Sequence, residues 1–340
     1  MKKRAFAIGA RYLVGGFAAV LLAVLVFATQ DDGPRFSAWS APVNLGPPAN
    51  GPGGEYFHFI SKDGLSLYFT SDDFVDPVTG YYLEGYGGWD IFVCQRASVN
   101  DPWGPPQNLG PNINTEYYEG APAISRDGHL MYFASTRPGG FGGTDIYVSR
   151  RHNMRDDFGW KAPQNLGNGI NTPANEANPE IFEDDENTGA IILYFDSNRP
   201  SGPGPYDNID NFNGNDIYAS VLQPDETFGP AELLMELCTS SRERQPSIRR
   251  DGLEFFFVSN RPGGLGQLDL WVSTRSTTSD SWSAPVNMGA PINSPDRDGG
   301  PALSWDGTSL YFCTYKRPGG LGYFDGYVIT RTKLKGPDKD

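Results

Sequence analysis

The sequence predicts an all-β fold, a five-bladed β-propeller with four strands in each blade. The first observation is a repeat of roughly 50–70 residues, built from short aromatic strands and present five times. The second is an Asp-Gly pair, a strong hairpin signal, before the aromatic strand of four copies. The third is the phase of the repeat, because the chain begins with a fourth strand near Trp39 and ends on a third strand at Gly326–Thr330. The N-terminal strand can therefore join the last blade, which closes the ring and removes two exposed edges.

Each copy divides into four predicted strands, ordered from the central channel to the rim. An inner segment such as residues 121–125 comes first, and the aromatic strand follows it after the Asp-Gly turn. A Gly-rich turn leads to the third strand, which starts at an aspartate in every copy: Asp90, Asp145, Asp216, Asp269 and Asp325. We interpret these aspartates as structural, because a carboxylate at a strand entrance accepts backbone N–H bonds and holds a tight turn. The fourth strand opens with an aromatic residue: Trp39, Trp103, Trp160, Phe228 and Trp282.

The N-terminal 30 residues are predicted to lie outside the propeller. Four basic residues come first, Lys2, Lys3, Arg4 and Arg11, and residues 12–30 then contain no charge. This is the layout of a secretory signal, with cleavage expected after Ala28, but the uncharged run is also long enough to anchor the chain in a membrane. The propeller is expected over residues 36–333, and residues 334–340 are expected to be a disordered tail.

The charge of the chain limits its partners. The formal net charge is −14, and removal of a signal with four basic residues leaves −14 − 4 = −18. Nucleic acid and anionic lipid surfaces are therefore not expected as partners, and membrane contact is expected only through the N-terminal segment if it is retained. Cationic partners, metal ions and neutral glycans remain open.

The three cysteines are predicted to be free and buried. Cys94 and Cys313 lie within predicted strands, and Cys238 is aligned with the apolar residues of other copies: Ile113, Ile170 and Ile292. No Cys or His spacing indicates a metal centre. An insertion in the third copy, residues 201–215, contains closely spaced oxygen ligands and a glycine, which is compatible with Ca²⁺ although the spacing does not fit an EF-hand. We therefore expect no cofactor, with Ca²⁺ as the alternative.

The motif Ser-x-Asp-Gly-x-x-Leu-Tyr-Phe, followed by Arg-Pro-Gly-Gly and Asp-Ile-Tyr-Val, resembles the WD40-like (PD40) repeat of exported bacterial propellers, including the TolB family. The resemblance covers nearly all of residues 39–331. It implies an interaction propeller of the bacterial cell envelope, in the periplasm or at the cell surface. The chain departs from the TolB family in its five blades rather than six and its lack of a separate N-terminal α/β domain, so the specific role of TolB does not transfer.

Five carboxylates occupy one position of the repeat, near the start of each first strand: Glu55, Glu119, Glu176, Glu243 and Asp298. Because the first strand lines the channel, we expect these acids to ring one channel mouth. An arginine ends the second strand of four copies: Arg137, Arg199, Arg261 and Arg317. Acid–arginine pairs are the expected arrangement, because uncompensated acids would repel each other, and a ring that holds a cation or substrate is the alternative.

The first copy departs from this pattern. Asp73 takes the arginine's position beside Asp72, so Glu55 has no arginine in its own blade. The turn that follows is aromatic, and aromatic faces beside carboxylates suit a sugar ring. We therefore predict a ligand or partner site in the loop of residues 71–89, formed by Glu55, Asp72, Asp73, Tyr82, Tyr86 and Trp89. The alternative is a loop insertion whose aromatic side chains pack on the blade.

Two functions are compatible with these observations. The first is a non-enzymatic interaction propeller that binds an envelope protein or a glycan on the face with the 71–89 and 201–215 loops. The second is a glycoside hydrolase or lyase, which needs two carboxylates about 5–10 Å apart, such as Glu55 with Glu119, Glu176 or Asp298. No catalytic residue is assigned, because the same acids recur in every copy.

Overall fold

A computed structural model of the protein describes residues 36–72, 74–75, 82–184, 188–200 and 214–334. The regular structure of these residues is β-strand, organised as five four-stranded antiparallel sheets and one short hairpin. This confirms the all-β, five-bladed propeller. The predicted signal or anchor, and residues 335–340 of the predicted tail, lie outside the described residues. Among the described residues, no helix is long and apolar enough to cross a membrane.

The blades have the same strand order, and the first strand in sequence is the innermost. Strand β1 (Val43–Asn44) belongs to the last blade. Blade 1 contains β2 (Glu55–Ile60), β3 (Ser66–Asp72), β6 (Trp89–Gln95) and β7 (Gln107–Asn108), and the hairpin β4 (Phe74–Val75) and β5 (Tyr82–Leu83) extends from it. Blade 2 contains β8 (Glu119–Ile124), β9 (Leu130–Ser135), β10 (Asp145–Arg150) and β11 (Gln164–Asn165).

The other three blades repeat this arrangement. Blade 3 contains β12 (Glu176–Glu183), β13 (Ile191–Ser197), β14 (Asp216–Val221) and β15 (Glu232–Leu233). Blade 4 contains β16 (Glu243–Ile248), β17 (Glu254–Ser259), β18 (Asp269–Thr274) and β19 (Val286–Asn287). Blade 5 contains β20 (Asp298–Leu303), β21 (Ser309–Tyr315), β22 (Phe324–Thr330) and, from the other end of the chain, β1.

The ring closes as the phase of the repeat predicts. Strand β1 pairs antiparallel with β22, with Val43 opposite Val328. The Asn50 side chain adds two hydrogen bonds, accepting from the Gly326 amide at 2.8 Å and donating to the Gly326 carbonyl at 2.9 Å. The first and last strands of the propeller are therefore held together both by the sheet and by a buried side-chain amide.

The outermost strands are shorter than predicted, because each pairs over only two residues. The aromatic residue that was expected to open this strand lies before it, and in blades 1, 2, 4 and 5 it packs against an arginine that follows the third strand. In blade 2, for example, the Arg151 guanidinium lies 4.4 Å from the centre of the Trp160 ring. Cation–π stacking therefore adds to the isolated backbone hydrogen bonds, such as that from the Lys161 amide to the Arg150 carbonyl at 2.9 Å, that hold the chain to the rim.

A β-bulge shapes the innermost strand of every blade. The third residue of this strand has a positive φ of 50–61° in all five blades: Phe57, Ala121, Asn178, Gln245 and Gly300. The register of the first and second strands shifts across the bulge, for example between Tyr56 and Phe59 in blade 1. Bulges re-aim side chains locally, so residues before and after the bulge face different surroundings.

The aspartate that begins the third strand is structural, which confirms the interpretation from sequence. Its carboxylate accepts backbone N–H bonds from the preceding turn, at 2.5 Å from Phe141 to Asp145 and at 2.6 Å from Leu265 to Asp269. These bonds fix the backbone of the turn at the residue four positions before the aspartate.

The three cysteines are free, and Cys94 and Cys313 are buried, as predicted, whereas Cys238 is half-buried. The predicted alignment of Cys238 with Ile113 is wrong by one residue. Arg261 donates to the carbonyl of Leu237, as Arg137 does to that of Ile113, so Leu237 holds the isoleucine position. Cys238 instead takes an asparagine position, and its sulfur accepts from the Ile217 amide at 3.2 Å. The blade 3 segment lacks the Gly and Asn that mark this turn in the other blades, which explains the misalignment.

Candidate functional site

The propeller has two faces with different chemistry. The loop face carries the connections between second and third strands, such as residues 136–144, and between fourth and first strands, such as residues 109–118. The turn face carries the hairpin turns between first and second strands, such as residues 61–65. The central channel between them is narrow, with a cavity of about 50 Å³.

The five predicted carboxylates are the first residues of the five innermost strands, and each is 0 or 1% exposed. In blade 2, Glu119 accepts from the Ser135 hydroxyl at 2.6 Å and lies 3.3 Å from Arg137 Nη2. The corresponding acid–arginine distances are 3.2 Å, 3.0 Å and 3.3 Å in the pairs Glu176–Arg199, Glu243–Arg261 and Asp298–Arg317. Acid–arginine pairing within a blade is therefore confirmed for four blades. These four acids point into their blades and leave no surface for a ligand.

Glu55 has a different environment, as the sequence indicated. Its Oε1 accepts from the Gly51 amide at 3.0 Å, and its buried Oε2 has no hydrogen-bond partner among the described residues. Burial raises the pKa of Glu55 well above its usual range, and the nearby carboxylates of Asp325 and Asp72 raise it further. Burial therefore favours the protonated form of Glu55 beneath the loop face.

The neighbours of Glu55 form an aromatic cluster on the loop face. Asp72 accepts from the Gly54 amide at 3.3 Å and from the hydroxyl of Tyr323. Tyr56 packs between Trp89 and Phe324, with ring centres 4.3 Å and 4.6 Å away. Burial, and then the adjacent Asp72, raise the pKa of Tyr323 to about 12.

The predicted blade 1 site is thus assembled in part. Glu55, Asp72 and Trp89 lie close to one another around Tyr56, whereas Tyr86 is exposed on the loop that leads to Asp90. Tyr82 is a residue of β5 and pairs with Val75 of β4. Asp73 lies outside the described residues. Whether these residues bind a ligand stays a prediction.

The predicted Ca²⁺ loop also lies mostly outside the described residues, which resume at Gly214. Near its end, Asp216, Cys238 and Glu243 place potential metal ligands within 4.8 Å of one another. However, Glu243 is already bonded to Thr239, Ser259 and Arg261, and the corresponding acids of blades 2, 3 and 5 are likewise bonded to a hydroxyl and an arginine. We therefore assign this group to the turn network of the blade.

The loop face carries a repeated apolar feature of which sequence reasoning found only one member. The residue four positions before the third-strand aspartate is about half exposed in four blades: Tyr86 48%, Phe141 48%, Leu265 52% and Leu321 50%. In blade 3 the corresponding residue is Phe212, which lies outside the described residues. We call the four described residues, Tyr86, Phe141, Leu265 and Leu321, the apolar loop ring. Their fixed spacing from the aspartate was the signal in the sequence that could have revealed them.

The turn face carries a cavity of about 510 Å³, which sequence reasoning missed. Its lining includes Trp305 and three cationic residues: Lys62, Arg126 and Arg250. In the sequence each of these four residues directly precedes an Asp-Gly pair. The Asp-Gly pairs were interpreted only as turn-forming residues. The residue that precedes each pair, however, lies at the channel axis.

Comparison with known proteins supports the fold. No family model matches the chain, and no curated protein sequence matches it. Solved structures do: an α-L-arabinofuranosidase from Lactobacillus brevis has a TM-score of 0.54 at 16% identity, over 85% of this chain and 93% of that chain. The catalytic domain of the Coprinopsis cinerea GH62 α-L-arabinofuranosidase has a TM-score of 0.52 at 14% identity, over 88% and 98%.

A TolB protein from Acinetobacter baumannii is also similar, with a TM-score of 0.44 at 14% identity, over 82% of this chain and 55% of that chain. At such identities the comparisons establish the propeller fold and not an activity. The PD40 character of the repeat stays a prediction, because no family model matches it.

Proposed function

We propose that this chain is a non-enzymatic interaction propeller of the bacterial cell envelope, which binds a protein partner through its loop face. The observation that carries the proposal is the apolar loop ring, a large apolar side chain at the same exposed position in four blades. Single exposed apolar residues are common, but a repeated set on one face is typical of a protein-binding surface.

The backbone geometry supports this function. In blades 1, 2, 4 and 5 the residue of the apolar loop ring donates its N–H to the following aspartate, so its backbone is held in place. Binding of a partner therefore costs little backbone conformational entropy at these residues. Covering the exposed half of one such side chain contributes about 1 kcal/mol, and four together contribute about 4 kcal/mol.

The charge of the chain indicates the chemistry of the partner. With a formal net charge of −14, the chain attracts cationic surfaces over a long range, which favours a partner with a basic surface. Asp72, partly exposed beside Trp89 and Tyr323 on the loop face, supplies a local acidic group. A glycan that stacks on the same aromatic residues is the alternative outcome.

Cross-linking in cells tests the proposal. A triple variant, Phe141→Ser with Leu265→Ser and Leu321→Ser, is expected to reduce recovery of the cross-linked partner at least tenfold. The matched control is Val43→Ser with Val286→Ser, which removes side chains that are 60% and 63% exposed on the outermost strands. An unchanged partner yield with the triple variant, or an equal loss with the control, would contradict the proposal.

The glycoside hydrolase alternative has one observation in its favour beyond the shared fold, which is that no arginine is paired with Glu55 within the part of the chain that the structure describes. Against it, Glu55 and the acids predicted to work with it, Glu119, Glu176 and Asp298, are each at most 1% exposed. A buried carboxyl cannot reach a glycosidic bond. We expect no sugar release from arabinoxylan or pectic polysaccharides, and release that disappears in a Glu55→Gln variant would establish the enzyme instead.

A further inference from the structure

The turn-face cavity has an apolar wall to which every blade contributes. One aliphatic residue comes from the same register position of each innermost strand: Ile60, Ile124, Ile181, Ile248 and Leu303. Phe59, Phe182 and Trp305 add aromatic surface to the lining. Water finds few hydrogen-bond partners along such a wall, so an apolar molecule is favoured when it displaces that water.

A single acidic side chain from blade 3 stands at the base of the cavity. Glu180 lines both the cavity and the narrow channel, so it marks the place where one opens into the other. The residues at the same register position of the other blades carry no ionisable group: Phe59, Ala123, Ser247 and Ala302. The Glu180 carboxyl accepts from the Ile248 amide at 3.2 Å and from the Ser247 hydroxyl.

The surroundings of Glu180 keep a proton on its carboxyl group. Desolvation raises the pKa of Glu180 to about 8, and the hydrogen bonds from Ile248 and Ser247 oppose this rise without cancelling it. At pH 7 the carboxyl is therefore mainly protonated, and its O–H can donate to an acceptor inside the cavity. A strongly raised pKa in a concave site is typical of a group with a function.

The charged side chains around the cavity are balanced. The part of the lining that the structure describes contains four cationic and four acidic residues: Lys62, Arg126, Arg151, Arg250, Asp63, Asp127, Glu180 and Glu183. Arg151 is paired with Asp157, which lies outside the lining, at 2.7 Å. With Glu180 protonated, three cations and three carboxylates remain. An ion of either sign therefore gains no net attraction, and it would lose hydration against the apolar wall.

We propose that the turn-face cavity binds a small uncharged molecule with an apolar body and a carbonyl or hydroxyl oxygen. The oxygen accepts a hydrogen bond from the Glu180 carboxyl at the base, and the apolar body lies along the aliphatic residues towards Trp305. The volume of about 510 Å³ lies within the usual range for small-molecule sites, which is roughly 300–1,000 Å³. This site is separate from the loop face and does not depend on the partner proposed there.

Calorimetric titration with three compounds of similar chain length tests the charge preference. At pH 7, 2-octanone is expected to bind the full-length protein at least tenfold more tightly than octanoate or octylammonium. The reason is that only the ketone can place its polar end beside Glu180 without burying a charge. Equal affinities, tighter binding of either ion, or no heat with 2-octanone up to about 5 mM would refute the proposal.

The pH dependence of 2-octanone binding tests the role of Glu180. With a pKa of about 8, the protonated fraction falls about tenfold between pH 7 and pH 9, and the affinity is expected to fall by the same factor. The matched variant, Glu180→Gln, offers an amide N–H that does not titrate, so its affinity should be equal at the two pH values. A constant affinity in the wild type, or the same fall in both proteins, would contradict this role.

A cavity-filling variant locates the site. Ile181→Trp places an indole in the cavity and is expected to weaken 2-octanone binding at least tenfold. The control, Val221→Trp, adds the same side chain to blade 3 at a position that is 43% exposed and outside the lining. Retained binding in the first variant, or an equal loss in the control, would place the site elsewhere. Thermal melting checks the fold of both variants, and if Ile181→Trp does not fold, the pH dependence of Glu180→Gln decides.

Comparison with 1-octanol distinguishes the two kinds of oxygen. A hydroxyl can donate to the Glu180 carboxylate as well as accept from its protonated form, whereas a ketone can only accept. Tighter binding of 1-octanol, retained at pH 9, would identify a hydroxyl ligand. Tighter binding of 2-octanone at pH 7 would identify a carbonyl ligand, and failure of both compounds to bind would overturn the site.

Discussion

Replacement of Glu180 by glutamine is expected to stabilise the propeller in a pH-dependent manner. The pKa of this side chain is about 8 in the folded protein, against an ordinary value of 4.5, because the channel desolvates its charge. The folded state therefore retains a proton that the unfolded state releases above pH 4.5. Stability from this group is fully present below pH 4.5 and is lost as pH rises towards 8.

The magnitude follows from the two pKa values. Each unit of difference corresponds to about 1.4 kcal/mol, so the wild-type protein loses about 2.5 kcal/mol from this group between pH 5 and pH 7. Glutamine does not ionise, so the variant loses no free energy of unfolding from this position between pH 5 and pH 7. It keeps the shape of the side chain, and its carbonyl oxygen can still accept from the Ile248 amide.

Urea-induced unfolding at pH 5 and pH 7 measures the effect. The free energy of unfolding of Glu180→Gln minus that of the wild type is expected to be about 2.5 kcal/mol more positive at pH 7 than at pH 5. The other ionisable groups of the cavity are the same in both proteins and cancel in this difference. The control is Glu232→Gln, which removes an exposed carboxylate from the outermost strand of blade 3. An equal difference at the two pH values would refute the reasoning.

Three further predictions concern the blade networks. Asn50→Ala should lower the free energy of unfolding by about 2 kcal/mol, because the Gly326 amide and carbonyl both lose a buried partner; a change below about 0.5 kcal/mol in urea unfolding would mean that β1 closes the ring without it. Arg261→Met should cost about 3 kcal/mol in the same assay, because Glu243 then remains buried without its counter-charge, and a neutral result would show that the hydroxyl donors suffice. Cys238→Asn should stabilise blade 3 by about 1 kcal/mol, because an amide restores the hydrogen bonds found at this turn in the other blades; a lower melting temperature would contradict this assignment of the position.

The repeat made much of the fold predictable. Copies of one motif must adopt one local structure, so the turn aspartates, the acid–arginine pairs and the closure by β1 follow from alignment of the copies. The misplacement of Cys238 has the same origin, because blade 3 lacks the Gly and Asn that anchor the alignment elsewhere.

The burial of the carboxylates could not be read from the repeat. Glu119 begins the innermost strand, which lines the channel, yet it points into the blade. The reason is the bulge two residues later, where the positive φ of Ala121 changes which side of the strand faces the channel. A period-two pattern broken by a bulge gives no reliable orientation for residues on either side of it.

The sequence by itself determined the all-β class, the number of blades, the closure of the ring and the polar contacts that hold each blade together, because all of these are local to one repeat or to its phase. Only the tertiary structure decided which residues meet at the axis. Lys62, Arg126, Arg250 and Trp305 are far apart in the chain and hold equivalent places in four different blades. The rotation from blade to blade about the channel brings equivalent positions together, and their convergence on one tryptophan appears only when the ring is closed.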